Sequence, residues 1–294
     1  MPMRVLKSET VNETFIERIM YTRYYSLSLD KKRCVGCEIC KIVCPREAIE
    51  VIKPFKIEGE NQGRSTISID ENKCHFCGIC NAICPFGALT LRINDEVVIP
   101  VFKTESFPQI IHEVEVNESL CPVDCNKCEE ACSFDLIKVS VEKTQAESRV
   151  RVDIDKEHCP CCRLCEAECP YNAIHARKII SGSIIINNEK CLENCRDCVD
   201  VCPIQGALYM LDDGKVHVND FFCIYCGACR IVCPVEGALV IKRNSVHHTS
   251  VHSGAWNKAL EKLTSTKDMV KELRSKTIIR TRESVKRRAG KAVP

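Results

Sequence analysis

Cysteine is the residue type that gives this sequence most of its capacity for chemistry. The chain of 294 residues contains 25 cysteines, and 24 of them fall into six runs of four. Four runs have the spacing C-x2-C-x2-C-x3-C, and the third and fifth have C-x3-C-x2-C-x3-C. A proline follows every run except the third, which is followed by Ser133. The remaining cysteine, Cys161, lies beside a member of the fourth run.

This spacing is typical of the cysteine ligands of 4Fe-4S clusters in bacterial-type ferredoxins. Three closely spaced thiolates bind three irons of one cube. We expect the fourth cysteine to begin a helix that points away, so that its thiolate reaches the neighbouring cube. The proline that follows suits the first turn of a helix, where its missing N–H costs nothing. The sequence therefore predicts six 4Fe-4S clusters.

Pairing of adjacent runs predicts which cysteines share a cluster. In each pair, the first three cysteines of one run join the fourth cysteine of the other run. The predicted ligand sets are Cys34, Cys37, Cys40 and Cys84; Cys74, Cys77, Cys80 and Cys44; Cys121, Cys125, Cys128 and Cys169; Cys159, Cys162, Cys165 and Cys132; Cys191, Cys195, Cys198 and Cys233; and Cys223, Cys226, Cys229 and Cys202. This exchange is a hypothesis, which a structure with all four thiolates of one run on one cube would refute.

Other uses of cysteine fit the pattern less well. Structural zinc prefers two C-x2-C pairs separated by a longer loop, so that four sulfurs can close a tetrahedron. Disulfides need an oxidising compartment. The first 30 residues carry Glu9, Glu13, Glu17 and Asp30 and lack the apolar segment of a secretion signal. The three-cysteine pattern of radical-SAM enzymes needs a large barrel, which would overlap the other runs. We therefore expect cluster ligands in a cytoplasmic protein.

The runs repeat together with their surroundings, and this repeat predicts the fold. A β-prone segment precedes each run (25–29, 65–69, 113–116, 149–154, 183–186 and 215–218), and another follows it (48–52, 88–93, 136–141, 173–176, 207–211 and 238–241). Each unit is thus a strand, a cluster loop, a short helix and a strand. The expected fold class is α+β, with three tandem two-cluster ferredoxin units built from six such repeats and a basic helical C-terminal tail.

The expected boundaries follow from the runs. Residues 1–20 are an extension with a short helix containing Phe15, Ile16 and Ile19. The ferredoxin units span 21–107, 108–180 and 181–243, and an extra strand is expected at Val97–Phe102. The tail, 244–294, carries 12 Lys and Arg against 4 Asp and Glu, a charge of +8, so residues 1–243 carry 2 − 8 = −6. In the tail, Ser253 is expected to cap a helix with an apolar stripe, and Ser265 a second helix.

The charge and composition of the chain indicate which kinds of partner it could bind. Six clusters with four thiolates each would add negative charge to the chain, which the basic tail offsets or uses to hold an acidic partner or a second copy. Docking should therefore be sensitive to salt. A basic run alone is weak support for nucleic-acid binding, which we do not expect. The sequence has no apolar stretch long enough to span a membrane.

Several residues near the runs allow two interpretations. Glu129, Glu130, Asp197 and Asp200 replace apolar residues in the third and fifth runs; they are either solvated or lower the potentials of nearby clusters. Cys161 is expected to be a free thiol, packed or exposed, rather than a substitute ligand. The histidines, including His75 and His158 beside ligands and His247 and His248, share no spacing with the cysteines and are expected not to bind metal.

The predicted clusters favour electron transfer over catalysis. A cube with four cysteine ligands has no open iron and suits one-electron transfer. The sequence contains no G-x-G-x-x-G run, no phosphate-binding G-x-x-x-x-G-K-[ST] run and no nucleophile–base signature. We therefore expect no catalytic site in the chain itself, and a wire or store for electrons.

The six runs, with their C-x3-C-x2-C-x3-C members, resemble the archaeal polyferredoxins. Together with the stretch from Ser253 to Leu260, they look like the F-type polyferredoxin component of formylmethanofuran dehydrogenase. The resemblance implies that the chain feeds low-potential electrons to the molybdenum or tungsten catalytic component, which reduces CO2 in methanogenesis. It implies a small ferredoxin or heterodisulfide reductase as the electron donor.

Three other functions stay open on the sequence alone. The chain is a polyferredoxin of a hydrogenase or heterodisulfide reductase system, or a free-standing electron-storage ferredoxin, or a scaffold with structural clusters. Co-purifying subunits distinguish the first. A monomer that exchanges electrons freely with small ferredoxins supports the second, and reversible reduction near the physiological donor's potential excludes the third.

Overall fold

A computed structural model describes residues 4–54, 63–143, 148–251 and 253–264. The first part contains the elements β1 (Arg4–Glu9), β2 (Glu13–Ile19), β3 (Tyr24–Asp30), α1 (Ile39–Val43), β4 (Ile49–Ile52), β5 (Thr66–Ile69), α2 (Ile79–Ile83), β6 (Leu89–Ile93), β7 (Glu96–Val97) and α3 (Pro100–Lys103). The middle part contains β8 (Val114–Val116), α4 (Lys127–Glu130), β9 (Ile137–Lys143), β10 (Ser148–Ile154), α5 (Leu164–Glu168) and β11 (Ile174–Ala176). The last part contains β12 (Ile180–Ile186), α6 (Asp197–Asp200), β13 (Leu208–Met210), β14 (Val216–Val218), α7 (Ala228–Val232), β15 (Leu239–Val246) and α8 (Gly254–Thr264).

One pattern of strand pairing occurs three times along the chain. In each case the outer two strands pair antiparallel, and so do the inner two. The outer pairs are β3 with β6, β8 with β11 and β12 with β15; the inner pairs are β4 with β5, β9 with β10 and β13 with β14. A strand therefore lies at each of the twelve β-prone segments, and every cysteine run lies between two of these strands.

The strands form because apolar side chains alternate with polar ones. In β5, Ile67 and Ile69 are buried while their neighbours are half-buried. In β3, Leu27 and Leu29 are buried in the same way, and Leu27 lies opposite Leu91 of β6. Because successive side chains of a strand point to opposite faces, each sheet presents one apolar face. These faces cover the cysteine loops.

The N-terminal extension is a strand hairpin, so the predicted helix at Phe15, Ile16 and Ile19 is wrong. Strands β1 and β2 pair with each other, and β2 adds to β3, giving a five-stranded sheet in the order β1-β2-β3-β6-β7. Thr14 and Ile16 are buried, and the residues beside them are not. This period of two buries one face of a strand, and the edge of β3 supplies its hydrogen-bonding partner.

The extra strand expected at Val97–Phe102 is only two residues long. Strand β7 ends at Val97, and α3 begins at Pro100. Proline has no N–H for a strand ladder and is well suited to the first helical position, so the ladder stops and a helix starts here.

The helix α8 forms as expected and packs against α1 and β15. The amide of Ala255 donates to the Ser253 hydroxyl at 3.2 Å, which caps the helix start. Trp256, Ala259 and Leu263 are buried. The Trp256 ring stands edge-on to Phe107, with ring centroids 4.9 Å apart. The second helix expected from Ser265 lies outside the described residues.

The three repeats share one hydrophobic core. Its buried residues include Val35 from the first repeat, Leu164 from the second and Ile224 from the third, together with Trp256 of α8. A smaller core, with Ile16, Leu27 and Ile69, lies within the first repeat. Strand β15 continues to Val246, and His248 bridges to Ile110, so the start of the expected tail is part of this fold. Within the described ranges, no helix is long and apolar enough to cross a membrane.

Candidate metal centres

The local backbone of each cysteine run is a loop followed by a short helix. The third cysteine of every run lies inside the helix, as Cys40 does in α1 and Cys80 in α2. The fourth cysteine comes after the helix, and the backbones of Cys44 and Cys84 are extended. The expectation that the fourth cysteine begins a helix is therefore wrong. In the five runs that are followed by proline, the proline explains this, because it disfavours the helical conformation of the residue before it.

A tight turn shapes the cysteine loop of the first run. In the first run, Gly36 has φ +62°, and an added Cβ would lie 2.4 Å from the Cβ of Ser65. Only glycine fits this position without strain or clash. The loop thereby approaches the backbone just before β5 and buries Cys34, Cys37 and Cys40.

One cavity in the first repeat is bordered by cysteines from two different runs. Its wall contains Cys74, Cys77 and Cys80 of the second run and Cys44 of the first. The rest of the wall is mainly apolar and includes Leu27, Ile49, Ile69, Phe76 and Leu91. The structure therefore brings the fourth cysteine of one run to the first three of its neighbour.

A second cavity, in the third repeat, has the same composition. Cys191, Cys195 and Cys198 of the fifth run border it together with Cys233 of the sixth. Its apolar wall includes Ile186, Val216 and Leu239. The two cavities thus bring together the same combination of cysteines in the first and third repeats.

Electrostatic effects between thiols indicate the other groupings. Burial raises the pKa of Cys40, and Cys37 and Cys84 raise it further. Burial raises the pKa of Cys162 to about 11, with added effects from Cys159 and Cys132.

The remaining two groupings show the same effect. Burial raises the pKa of Cys121, and Cys169 raises it further. Burial raises the pKa of Cys202 to about 12, and Cys226 and Cys223 add to that rise. In each of the six groupings, the fourth cysteine of a run lies near one or more of the first three cysteines of its partner.

This donor set suits an iron–sulfur cluster. Buried thiols hold their protons in the absence of a cation, and a metal that binds thiolates displaces those protons. Among the described residues, no three His, Cys, Asp or Glu side chains converge on a point where a single metal ion would bind.

Backbone amides support the fourth cysteine of several runs. The amide of Ala48 donates to Cys44 Sγ at 3.4 Å, and that of Ala88 donates to Cys84 Sγ at 3.4 Å. Leu136 and Ala173 make the equivalent bonds to Cys132 and Cys169. In each case the donor lies four residues after the cysteine. Hydrogen bonds to the sulfurs stabilise thiolates and are one of the features that set cluster potentials.

Cys161 is fully buried, so of the two expected states it is the packed one. Its thiol donates to the carbonyl of Cys159 at 3.7 Å. The hydrogen bond with the Cys159 side chain raises the pKa of Cys161. The structure therefore places Cys161 in the hydrophobic core.

The acidic residues of the third and fifth runs have polar partners of their own. Glu129 accepts from the Val139 amide at 2.8 Å and pairs with Lys138 at 3.2 Å. Arg196 donates to Asp200 at 2.8 Å. The contact of Glu129 holds α4 to β9, which is a structural role for that carboxylate.

The nearby histidines also bond to protein groups. The Nδ1 atom of His158 lies 2.7 Å from a carboxylate oxygen of Asp155, and that of His112 lies 2.7 Å from the carbonyl of Cys159. His75 borders the cavity that contains Cys74.

Arg243, which was not among the residues predicted to be functional, is buried beside two of the cysteine loops. Its guanidinium donates to the carbonyl of Cys226 at 2.6 Å and to that of Tyr225 at 2.9 Å. The signal was present in the sequence, because Arg243 follows Leu239 and Ile241 at a spacing of two and so shares the buried face of β15.

Comparison with known proteins gives matches at both ends of the cysteine array. Residues 33–88 and residues 183–234 each match a 4Fe-4S dicluster domain. An iron–sulfur protein of Halobacterium salinarum, ascribed to a dimethyl sulfoxide reductase, is 23% identical over 222 residues, which are 68% of this chain and 71% of that protein. The polyferredoxin protein MvhB of Methanothermobacter marburgensis is 31% identical over 113 residues, 35% of this chain and 24% of MvhB.

One solved structure matches nearly the whole chain. It is a chain of the formate dehydrogenase–heterodisulfide reductase–formylmethanofuran dehydrogenase complex from Methanospirillum hungatei. The TM-score is 0.77 at 30% sequence identity, over 89% of this chain and 92% of that one. The chain therefore contains two 4Fe-4S dicluster domains and is an iron–sulfur protein. It is related to the polyferredoxins, and it is an iron–sulfur protein of electron transfer.

Proposed function

We propose that the chain is a polyferredoxin with six 4Fe-4S clusters in three tandem ferredoxin units, held by the exchanged ligand sets given above. It transfers low-potential electrons to a partner redox enzyme, which we propose to be formylmethanofuran dehydrogenase. The choice of this partner rests on one observation. Nearly the whole chain is similar to a component of a complex that contains that enzyme.

Several features support the proposed number of clusters and their proposed ligands. The same strand pairing occurs three times, with two cysteine runs in each repeat. In both cavities described above, three cysteines of one run face the fourth of its neighbour. The dicluster matches at 33–88 and 183–234 add support for the first and third repeats. For the second repeat, the support is its equivalent pairing and the grouping of its thiols.

The chain's own residues would prepare these sites for electron transfer. When bound, a 4Fe-4S cluster supplies one-electron transfer. Side chains such as Leu27, Phe76 and Leu91 exclude water from the thiolates. Amides such as those of Ala48 and Ala88 donate to ligand sulfurs. Neither role needs an open iron or a substrate, so the chain would act as an electron-transfer component rather than as a catalyst.

A second candidate is a polyferredoxin of a hydrogenase or heterodisulfide reductase system. The similarity to MvhB favours this candidate, although it covers only 35% of this chain. The solved complex also contains a heterodisulfide reductase, which fits a role for such an enzyme as the electron donor of this chain.

Anaerobic affinity purification from the source cells tests the partner. The full chain carries the tag, and the co-purifying proteins are identified. We expect the molybdenum or tungsten catalytic component of formylmethanofuran dehydrogenase, and electrons delivered to the chain should support CO2 reduction by the complex. Recovery of hydrogenase components alone would favour the second candidate. Recovery of the chain as a free monomer that exchanges electrons with small ferredoxins would favour a storage protein and contradict our proposal.

A further inference from the structure

Arg243 is the most deeply buried arginine among the described residues, at 3% exposure. Its two hydrogen-bond partners are neutral carbonyls, those of Tyr225 and Cys226. None of the ion pairs in the described part of the chain involves Arg243. A buried guanidinium without a carboxylate is costly unless other negative charge lies nearby.

The negative charge available to Arg243 is that of cluster ligands. The thiols of Cys37, Cys226 and Cys229 act on the guanidinium to raise its pKa, although burial lowers it overall. A guanidinium remains protonated in proteins even so. Arg243 would therefore be a fixed positive charge beside thiolates of two different clusters.

These two clusters belong to different repeats that meet at this point. Cys37 lies in the first run, and its pKa is raised by burial and next by Cys226 of the sixth run. A Cβ on Gly227 would lie 2.9 Å from Arg243 Nη2 and 3.5 Å from the Cys37 carbonyl oxygen, so the two loops and the guanidinium are tightly packed. Nearby, Arg230 of α7 forms an ion pair with Glu38 of the first run.

Resting on the six-cluster function proposed above, we propose that Arg243 raises the reduction potentials of the two clusters whose ligands include Cys37 and Cys226. Reduction of a cluster adds one electron and one negative charge. A fixed cation in a poorly solvated site stabilises that added charge more than a surface cation would. Arg243 thus makes the junction between the first and third repeats the place where an added electron is most stable.

The test compares reduction potentials in matched variants of the full chain. Arg243→Gln and Arg243→Met remove the charge, and Arg243→Lys retains it. Lys242→Gln is the control, because Lys242 is exposed on the opposite face of β15 and the substitution changes the net charge equally. Each protein is first analysed for iron and then titrated with reductant while the cluster signals are followed by EPR.

In a neutral variant with full iron, two clusters should become harder to reduce. We expect the equilibrium constant for their one-electron reduction to fall at least tenfold, which corresponds to about 59 mV. The other clusters should stay within twofold of the wild type, as should all clusters of Lys242→Gln and of Arg243→Lys. Unchanged potentials in a fully loaded neutral variant, or an equal shift of all clusters, would overturn the proposal.

Loss of iron in the variants is informative as well. If both neutral variants lose the iron of the two junction clusters while Arg243→Lys retains it, the charge is required at the junction, which supports the proposal. If Arg243→Lys loses that iron too, the role of Arg243 is geometric and the proposal fails. A wild-type chain without clusters would instead contradict the proposed function itself, so the two failures are distinguishable.

Discussion

At the scale of single residues, Cys44 and Cys161 represent two kinds of cysteine. Cys44 borders the cavity of the second run, whereas Cys161 is buried in the core beside Cys159. We expect Cys44→Ala to remove or damage one cluster, with loss of up to about four irons. The cluster expected at Cys34, Cys37 and Cys40 should keep its EPR signal, because the fourth ligand that we propose for it is Cys84.

The matched control for that substitution is Cys161→Ala. It should leave the iron content unchanged and lower the free energy of unfolding by about 1 kcal/mol, since one buried sulfur is lost. If Cys44→Ala instead removes only the EPR signal of the cluster expected at Cys34, Cys37 and Cys40, each run holds its own cluster and the exchange is contradicted.

Gly36 gives a second prediction at this scale. Its φ of +62° and the 2.4 Å approach of an added Cβ to Ser65 mean that Gly36→Ala strains the first loop. The free energy of unfolding should fall by about 1–3 kcal/mol, measured by denaturant titration of the iron-loaded protein. Gly254→Ala is the control, because nothing lies within 4 Å of the added Cβ and its stability should not fall.

The residue types and spacing predict which cysteines are ligands, and the cysteines around the two cavities are grouped as the spacing indicates. Residue types and spacing could not reveal Arg243 as a functional residue, because its importance comes from the meeting of two loops that lie far apart in sequence. The sequence pattern reveals that Arg243 is buried only when the bounds of β15 and the face that it turns to the core are known.

At the scale of elements, α8 is held by one aromatic cluster. Trp256 packs edge-on against both Phe107 and His248 and is buried. Trp256→Ala should lower the free energy of unfolding by about 3–5 kcal/mol, measured by denaturant titration. It should also expose the peptide bonds of α8 to limited proteolysis. Lys258→Ala, an exposed change in the same helix, should do neither; equal effects of the two would contradict this packing.

The contact between α5 and β11 should depend on pH. Glu166 accepts from Arg163 at 2.8 Å and from the Ala176 amide at 3.2 Å. The hydrogen bond from Arg163 lowers the pKa of Glu166 to about 2, from an ordinary value of 4.5. A carboxylate with a lowered pKa stabilises the fold fully above its unfolded pKa, and this contribution is lost as the pH falls from about 5 towards 2.

Glu166→Gln provides the measurement for that effect. The wild type should lose its cluster absorbance more slowly than the variant near pH 6, and the difference should shrink as the pH is lowered to about 3.5. A difference that is constant across this range would contradict a role for the ionised carboxylate.

Local patterns predicted the elements around each run well, because alternation of apolar residues is a strong signal for half-buried strands. The hairpin of β1 and β2 was missed because its stability comes from pairing with β3, which a local pattern does not show. The short helices were predicted in the right places. Their position relative to the fourth cysteine was wrong because the effect of proline on the preceding residue outweighed its preference for a helix start.

At the scale of the whole molecule, the three repeats form one packed body. The common core and the junction of Cys37 with Cys226 bring the first and third repeats together. Phe86 of the first repeat also packs against Phe134 of the second, with ring centroids 5.8 Å apart. The order of the three repeats along the sequence suggests that they form a linear array. In the structure, the first and last repeats instead contact each other directly.

The central claim is that the six groups of thiols hold 4Fe-4S clusters. Anaerobic preparation of the full chain, followed by quantitation of iron and acid-labile sulfide, tests it most directly. We predict about 24 irons per chain and a similar amount of sulfide, from six four-iron cubes. About six metal ions per chain without acid-labile sulfide would mean mononuclear sites, and would contradict the account.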